Sequence, residues 1–312
     1  MSDKHKEAIA ANLKAFTADF ATKYDKLDAI NALSMLAAKS MLEFDPSKPR
    51  KTKKESEPVR GDPSKPFSGF TVENTLPDPS TFAEKFPHSA FKPGMKLMDF
   101  ACGTGLVTMK LAPYLQKKGV LTEVVGVDIN KDFLARFNSK AQDVVSDELS
   151  IKSHVYDILD PEVQSELDEK FGAKFDVIIC TYSYHHLDSY RDVTKKLASF
   201  LRPGGWIYIV DFYNEDLEKN WQTADPGSSV RHMGGLKVDV LNDTLTNFCG
   251  LTNASSAREG RAKLWQPKVF IESHTTQDTI DKLARDELPS KDDGEVYLID
   301  NSYIMAVAQA KR

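Results

Sequence analysis

Cysteine is scarce in this chain of 312 residues: Cys102, Cys180 and Cys249 are all it has. An odd number at wide spacing, with no Cys-x-x-Cys pair, argues against a disulfide framework and against a thiolate metal site, so no metal is expected. Positive charge is also in short supply. Lys and Arg number 41 against 46 Asp and Glu, for a formal net charge of −5. General nucleic-acid binders carry a positive excess, so no nucleic-acid partner is expected. Long apolar runs are missing as well. No stretch reaches the ~18 apolar residues of a membrane helix, and no membrane span is expected. The opening MSDKHKEAIA lacks the apolar core of a signal peptide. A reducing compartment is expected, the cytoplasm first and the nucleus as the alternative.

What is present reads as globular. Hydrophobic residues make up 41% and charged residues 28% of the chain, which is ordinary for a packed protein. Residues 5–43 read as helix. Ala8, Ile9, Leu13, Phe16, Phe20 and Tyr24 recur at threes and fours and form one apolar stripe, followed by a run rich in Ala, Leu and Met from Leu27 to Leu42. Residues 45–68 change character. They are rich in Pro, Lys and Ser, repeat Asp-Pro-Ser-Lys-Pro at Asp45–Pro49 and Asp62–Pro66, and bring five basic residues into the seven from Lys48 to Lys54. Such a segment cannot bury a core and reads as a solvated loop.

From Lys96 the chain alternates strand and helix. Strands are expected at Lys96–Phe100, Glu123–Asp128, Ile151–Tyr156, Phe175–Thr181 and Trp206–Phe212. Helices are expected at Leu106–Lys117, Lys131–Val144 and Tyr190–Phe200. Alternation at this spacing implies a mostly parallel, doubly wound sheet with helices on both faces, a Rossmann-like α/β fold. Beyond Phe212 the pattern loosens. Lys237–Phe248 and Thr276–Leu288 read as helices, and Val269–Glu272 and Tyr303–Ala308 as strands.

The sharpest local signal is Asp99-Phe100-Ala101-Cys102-Gly103-Thr104-Gly105, between a strand and a helix. Ligands of open α/β sheets bind beyond the carboxyl ends of the strands, and glycine lets the backbone approach them. Asp128, at the end of the next strand, can accept hydrogen bonds from a ribose diol. These features also fit a nicotinamide enzyme. Two details tilt away from it: Thr108 stands where a third glycine would be, and the acidic Asp99 would repel a pyrophosphate.

On these residues the chain resembles the class I S-adenosylmethionine-dependent methyltransferases, in the small-molecule, ubiquinone-methyltransferase-like branch. Asp99–Gly105 looks like that family's first motif, and Val124–Asp128 like its ribose-binding strand end. Phe175–Cys180 followed by Tyr184-His185-His186-Leu187 is similar to its fourth strand and its His-His-Leu segment, and Leu201-Arg202-Pro203-Gly204-Gly205 to its Leu-Lys-Pro-Gly-Gly turn. The resemblance spans roughly residues 95–250.

It implies S-adenosylmethionine as cofactor, bound by Tyr24, Asp99, Ala101, Gly103, Gly105, Asp128, Ile129, Asp157, Ile158 and Thr181. Asp157 is also a good helix cap, and Cys102 reads as a small residue under the cofactor rather than a nucleophile. His185 is a candidate general base, near neutral pH by type, and His232 a candidate base or substrate clamp. His186 reads as holding the following helix. The expected organisation is an N-terminal helical cap over 1–44, an irregular, partly flexible insertion over 45–90, and a methyltransferase domain over 91–312, with C-terminal insertions and a lid segment around 213–265. The expected activity is methyl transfer to a small organic acceptor. A protein acceptor docking on the basic segment is the second reading, a nicotinamide-dependent oxidoreductase the third, and a non-catalytic binding partner the fourth.

Overall fold

The computed structural model describes residues 2–48, 76–213 and 227–312. The helical stretch expected over 5–43 is three helices. Helix α1 (Asp3–Ala15) starts at Ser2, whose side chain accepts from the His5 N–H, and α2 (Ala18–Tyr24) starts at Thr17, which accepts from the Phe20 N–H. These caps satisfy backbone donors that no preceding turn can reach, so each marks a fresh helix start rather than a continuation. Helix α3 (Asp28–Glu43) carries the Ala/Leu/Met run, and Ala32, Ala37, Met41 and Leu42 are fully buried. The expected N-terminal cap therefore divides: α1 and α2 lie over the carboxyl ends of the strands, while α3 is largely core.

The sheet is built from β1 (Lys96–Phe100), β2 (Thr122–Asp128), β3 (Leu149–Val155), β4 (Phe175–Thr181), β5 (Leu201–Tyr213), β6 (Thr252–Pro267), β7 (Ser290–Lys291) and β8 (Val296–Gln309). Its order is β3-β2-β1-β4-β5-β8-β6, with β7 beside β8. The first five strands run parallel, and β8 is antiparallel to both β5 and β6. Strand β1 pairs with both β2 and β4, so the strand order reverses there, which is where open α/β sheets place ligands.

Strand β4 shows why both faces are covered. Val177 and Ile179 join one apolar cluster with α3 and with α5 (Leu106–Leu111). Ile178 and Cys180 join the other, with α7 (Gln164–Phe171), α8 (Tyr190–Phe200) and α9 (Val238–Asp243). Helix α6 (Lys131–Ala141) presses Phe137 against Cys102. A strand sandwiched this way reads as a continuous apolar run, as β4 does.

Several elements depart from expectation. Helix α5 stops at Leu111 instead of running to Lys117, because Pro113 sits in a tighter 3₁₀ turn. Residues 79–85, expected within an irregular insertion, form α4 (Pro79–Lys85), which docks Phe82 in the core at 4% exposure. The basic segment around 45–68 lies, beyond Lys48, outside the described residues. Residues 269–272, read as a strand, belong to helix α10 (Lys268–His274), which starts after Pro267 and buries Ile271 while Val269 stays 70% exposed. Of the expected lid around 213–265, Ser229 and Trp265 border the cavity described below, while much of the rest is packed structure. Helix α9 and the turn after it bury Leu241 and Leu245, and 252–267 is sheet strand β6; residues 214–226 lie outside the described residues. The expected helix at 276–288 is the shorter α11 (Gln277–Ala284).

Candidate functional site

A cavity of about 580 Å³ opens beyond the carboxyl ends of β1, β2 and β4. That is within the usual range for a small-molecule site, roughly 300–1,000 Å³. Its floor is the loop after β1 and the strand ends around Asp128, Asp157 and Thr181. Helices α1 and α2, the start of α3, and α10 close it from above.

The glycine loop is held in an unusual backbone shape. Ala101, Gly103 and Gly105 all have positive φ, at 52°, 54° and 83°. The two glycines differ in what their missing side chains leave open. A Cβ on Gly105 would lie 2.6 Å from the Phe137 ring, so this glycine serves close packing against α6, and it does not line the cavity. A Cβ on Gly103 would find its nearest protein atom at 3.6 Å, and Gly103 faces the cavity. The Gly103 N–H donates to Asp128 across 2.8 Å, and the Asn130 N–H donates to the other Asp128 oxygen across 2.8 Å. Burial raises the Asp128 carboxyl above its ordinary range, against the lowering effect of those backbone donors.

Of the residues expected at a cofactor, Tyr24, Ala101, Gly103, Asp128, Ile129, Asp157, Ile158 and Thr181 all line this cavity. Asp99 does not. It is 1% exposed beneath the loop, where the Thr108 hydroxyl donates to one carboxylate oxygen and the other has no hydrogen-bond partner. Burial pushes its pKa up to about 7.

The N-terminal helices are tied to the cavity by polar contacts that the sequence did not announce. His5 Nε2 lies 3.0 Å from the Asp157 carboxylate, and the Asn130 side chain donates to the Phe16 carbonyl across 2.5 Å. Asp25 takes hydrogen bonds from Thr104 in the glycine loop and from Arg136 and Lys140 on α6. Burial alone would raise the Asp25 carboxyl, but Lys140, Thr104 and Arg136 outweigh it and hold it below its ordinary range. The sequence signal available for Asp25 was its place beside Tyr24 at a helix end.

At the far end of the cavity stand histidines. His185 is buried on the turn after β4, its Nδ1 2.6 Å from Asp211 Oδ1, while its backbone N–H donates to Asp211 Oδ2. Burial, then the neighbouring His232, push His185 below its ordinary range, and burial lifts the Asp211 carboxyl above its own. With His185 held towards its neutral form by burial, Asp211 is the acceptor of this hydrogen bond and His185 its donor. The ring proton then sits on Nδ1, donated to the carboxylate, and the lone pair on Nε2 is left open. Asp211 was not picked out from the sequence, although a carboxylate inside the apolar strand run Trp206–Phe212 is the signal that could have found it. His232 is a correction. It does not line the cavity: its Nε2 donates to the Leu187 carbonyl across 3.0 Å and its ring packs edge-on to Tyr190. His186, read as supporting the following helix, instead lines the cavity, with Nδ1 2.7 Å from the Ser229 carbonyl.

The fold and this floor of glycine loop and strand-end carboxylates define a class, the Rossmann-like α/β proteins that bind a ligand beyond the carboxyl ends of their strands. A family described as a methyltransferase domain matches residues 78–248, more than half of the chain, and the chain belongs to it. An uncharacterized methyltransferase of Schizosaccharomyces pombe is 25% identical over 272 residues, covering 86% of this chain and 88% of that protein. An uncharacterized methyltransferase of Emericella nidulans is 31% identical over 128 residues, covering 39% of this chain and 43% of that protein. Among solved structures, the YcgJ protein of Bacillus subtilis superposes with a TM-score of 0.46 at 17% identity, over 71% of this chain and 94% of that one. Among the described residues, no helix is long and apolar enough to cross a membrane.

Proposed function

We propose that this chain transfers the methyl group of S-adenosylmethionine to a small organic acceptor. The observation that carries this reading is the cavity itself. One end is a polar cradle of Gly103, Asp128 and Asp157, and the other is an apolar enclosure of Phe16, Leu33, Phe212 and Phe270. The cradle fits the cofactor on its own chemistry. The Gly103 backbone faces open space, the Asp128 carboxylate accepts from the backbone N–H groups of Gly103, Asn130 and Ile129 and keeps lone-pair capacity for a ribose hydroxyl, and one oxygen of buried Asp99 has no protein partner.

In this reading Asp128 accepts from the ribose hydroxyls. Ile129, Asp157 and Ile158 hold the adenine, and Ala101, Gly103, Tyr24 and Thr181 border the rest of the molecule. Asp99 acts from beneath the loop. The bound cofactor supplies the electrophile, a sulfonium methyl. The protein's part is to align the acceptor in line with it and to exclude water. The apolar lining favours an acceptor with a hydrophobic body, and His185 stands where its reacting atom would arrive. Helices α1, α2 and α10 cover the cavity, which favours a small acceptor over a folded protein. The fold-independent alternative of a nicotinamide oxidoreductase loses its support with the methyltransferase family match.

The test is to incubate the full chain with methyl-labelled S-adenosylmethionine and either a small-metabolite extract or denatured lysate protein. Label is expected in the small-molecule fraction. Label confined to protein would overturn the acceptor assignment, and no cofactor binding at all would overturn the activity.

A further inference from the structure

His185, His186 and His274 converge at the acceptor end of the cavity from two separate elements. The first two sit on the turn after β4, and the third on the last residue of α10. One side-chain nitrogen from each lies within 4.8 Å of the other two. Ring centroids are 3.9 Å apart for His185 and His186, and 5.4 and 5.9 Å from His274 to each of them.

The second observation is what holds the rings. Every one of the three has Nδ1 engaged: His185 with Asp211 at 2.6 Å, His186 with the Ser229 carbonyl at 2.7 Å, and His274 with the Ser273 hydroxyl at 2.8 Å. Among the described residues no hydrogen bond engages any of the three Nε2 atoms. Histidines that merely fill a core use whichever nitrogen is convenient. Histidines that bind metal present one nitrogen to the ion and anchor the other on a carboxylate, carbonyl or similar group, which fixes tautomer and ring direction. A buried carboxylate, a carbonyl and a hydroxyl anchoring three neighbouring rings through the same atom is that second pattern.

We propose that His185, His186 and His274 form a binding site for one divalent transition-metal ion, zinc or a chemically similar cation, open on its cavity side. Three imidazoles suit such ions, and three protein ligands with one open position are the arrangement of catalytic rather than structural sites. The rings need to draw together only modestly to reach metal–nitrogen distances of about 2.0–2.1 Å.

Resting on the methyl-transfer reading above, the open position defines the acceptor's chemistry: an oxygen-bearing group, such as a hydroxyl or an enol. A bound cation lowers the pKa of that oxygen. Its proton passes to water. The oxygen lone pair then forms the new O–C bond as the S–C bond breaks, and that bond's electron pair stays on sulfur.

The test strips the full-length protein with a chelator and titrates it with cobalt(II), read by visible absorption, and with zinc(II), read by calorimetry. S-adenosylhomocysteine binding is measured on the same samples. One ion per chain is expected. His274→Ala should weaken it at least tenfold, and Asp211→Asn, which keeps all three ligands, by about 10–100-fold. Both variants should bind S-adenosylhomocysteine as the parent does, which shows that they are folded. Absence of metal binding by protein that binds S-adenosylhomocysteine would overturn the site, as would binding indifferent to His274→Ala. Metal binding without any S-adenosylhomocysteine binding would support the metal site and remove the methyl-transfer reading instead.

Discussion

Gly103 and Gly105 are two residues apart, yet they answer to different constraints. Gly105 has φ +83° and no room for a side chain, with Phe137 2.6 Å from where a Cβ would stand. Gly103 has φ +54° and open cavity beside it. Gly105→Ala is therefore expected to lower stability by about 1–3 kcal/mol, from overpacking and left-handed strain. Gly103→Val should weaken cofactor binding far more than any accompanying loss of stability. Melting curves and calorimetry on the two variants check this; the same pattern from both would contradict it. Asp99 gives a second expectation. Its buried carboxyl is raised to about 7, whereas an exposed aspartate titrates near 3.9. The folded state thus keeps a proton that the unfolded chain has lost. The stabilisation this gives is complete below about pH 4 and disappears as pH rises through about 7. Asp99→Asn removes that loss, so the melting temperature of the variant relative to the parent should rise between pH 5 and pH 8. A difference that stays constant with pH would contradict the buried, protonated carboxyl.

At the scale of elements, α1 and α2 are the ones expected to respond to ligand. They rest on the cavity through His5–Asp157, Asn130–Phe16 and the Asp25 cluster and through the Phe16 and Tyr24 rings on Phe133, but the apolar side chains they bury are small ones such as Ala8 and Ala21, and the exposure of Leu13 is 45%. Helix α3, by contrast, is core. Elements with few buried apolar contacts open at low free energy. S-adenosylhomocysteine is therefore expected to slow amide exchange over residues 5–25 and in the glycine loop, while α3 is slow with or without it. Protection confined to the glycine loop would show α1 and α2 to be permanently docked. The elements also show where sequence pattern carries and where it fails. Strand β4 and helix α8 were legible to the residue, because one is a buried apolar run and the other a clean amphipathic repeat. Strand β6 was not seen, since its sequence TNASSAREGRAKLWQP lies at the sheet's edge and needs few apolar residues. Helix α10 was read as a strand because Val269-Phe270-Ile271 is too short for periodicity to separate the two.

Across the whole molecule, the parallel half of the sheet and the cradle at its carboxyl edge were readable, because alternation and the Asp99–Gly105 loop are local signals. The histidine cluster was not. His274 comes to His185 only through the antiparallel β6–β8 pairing and the helix that leaves β6, and nothing within a few residues of it encodes that meeting. The same holds for His5 and Asp157, joined across the sheet from opposite parts of the chain. His232 misled for the converse reason: a histidine beside two glycines has the look of a pocket loop, but tertiary packing turns its ring onto Leu187 and Tyr190.

The reading as a cofactor-binding methyltransferase meets its most direct test at Asp128. Calorimetry of S-adenosylmethionine against the parent chain and Asp128→Ala compares a single carboxylate's contribution. Charge-assisted hydrogen bonds to two ribose hydroxyls are worth about 1.5–3 kcal/mol each. One cofactor per parent chain is expected, with affinity at least tenfold weaker in Asp128→Ala and a native-like circular dichroism spectrum. Equal affinity in the two proteins, or no binding by the parent, would contradict it.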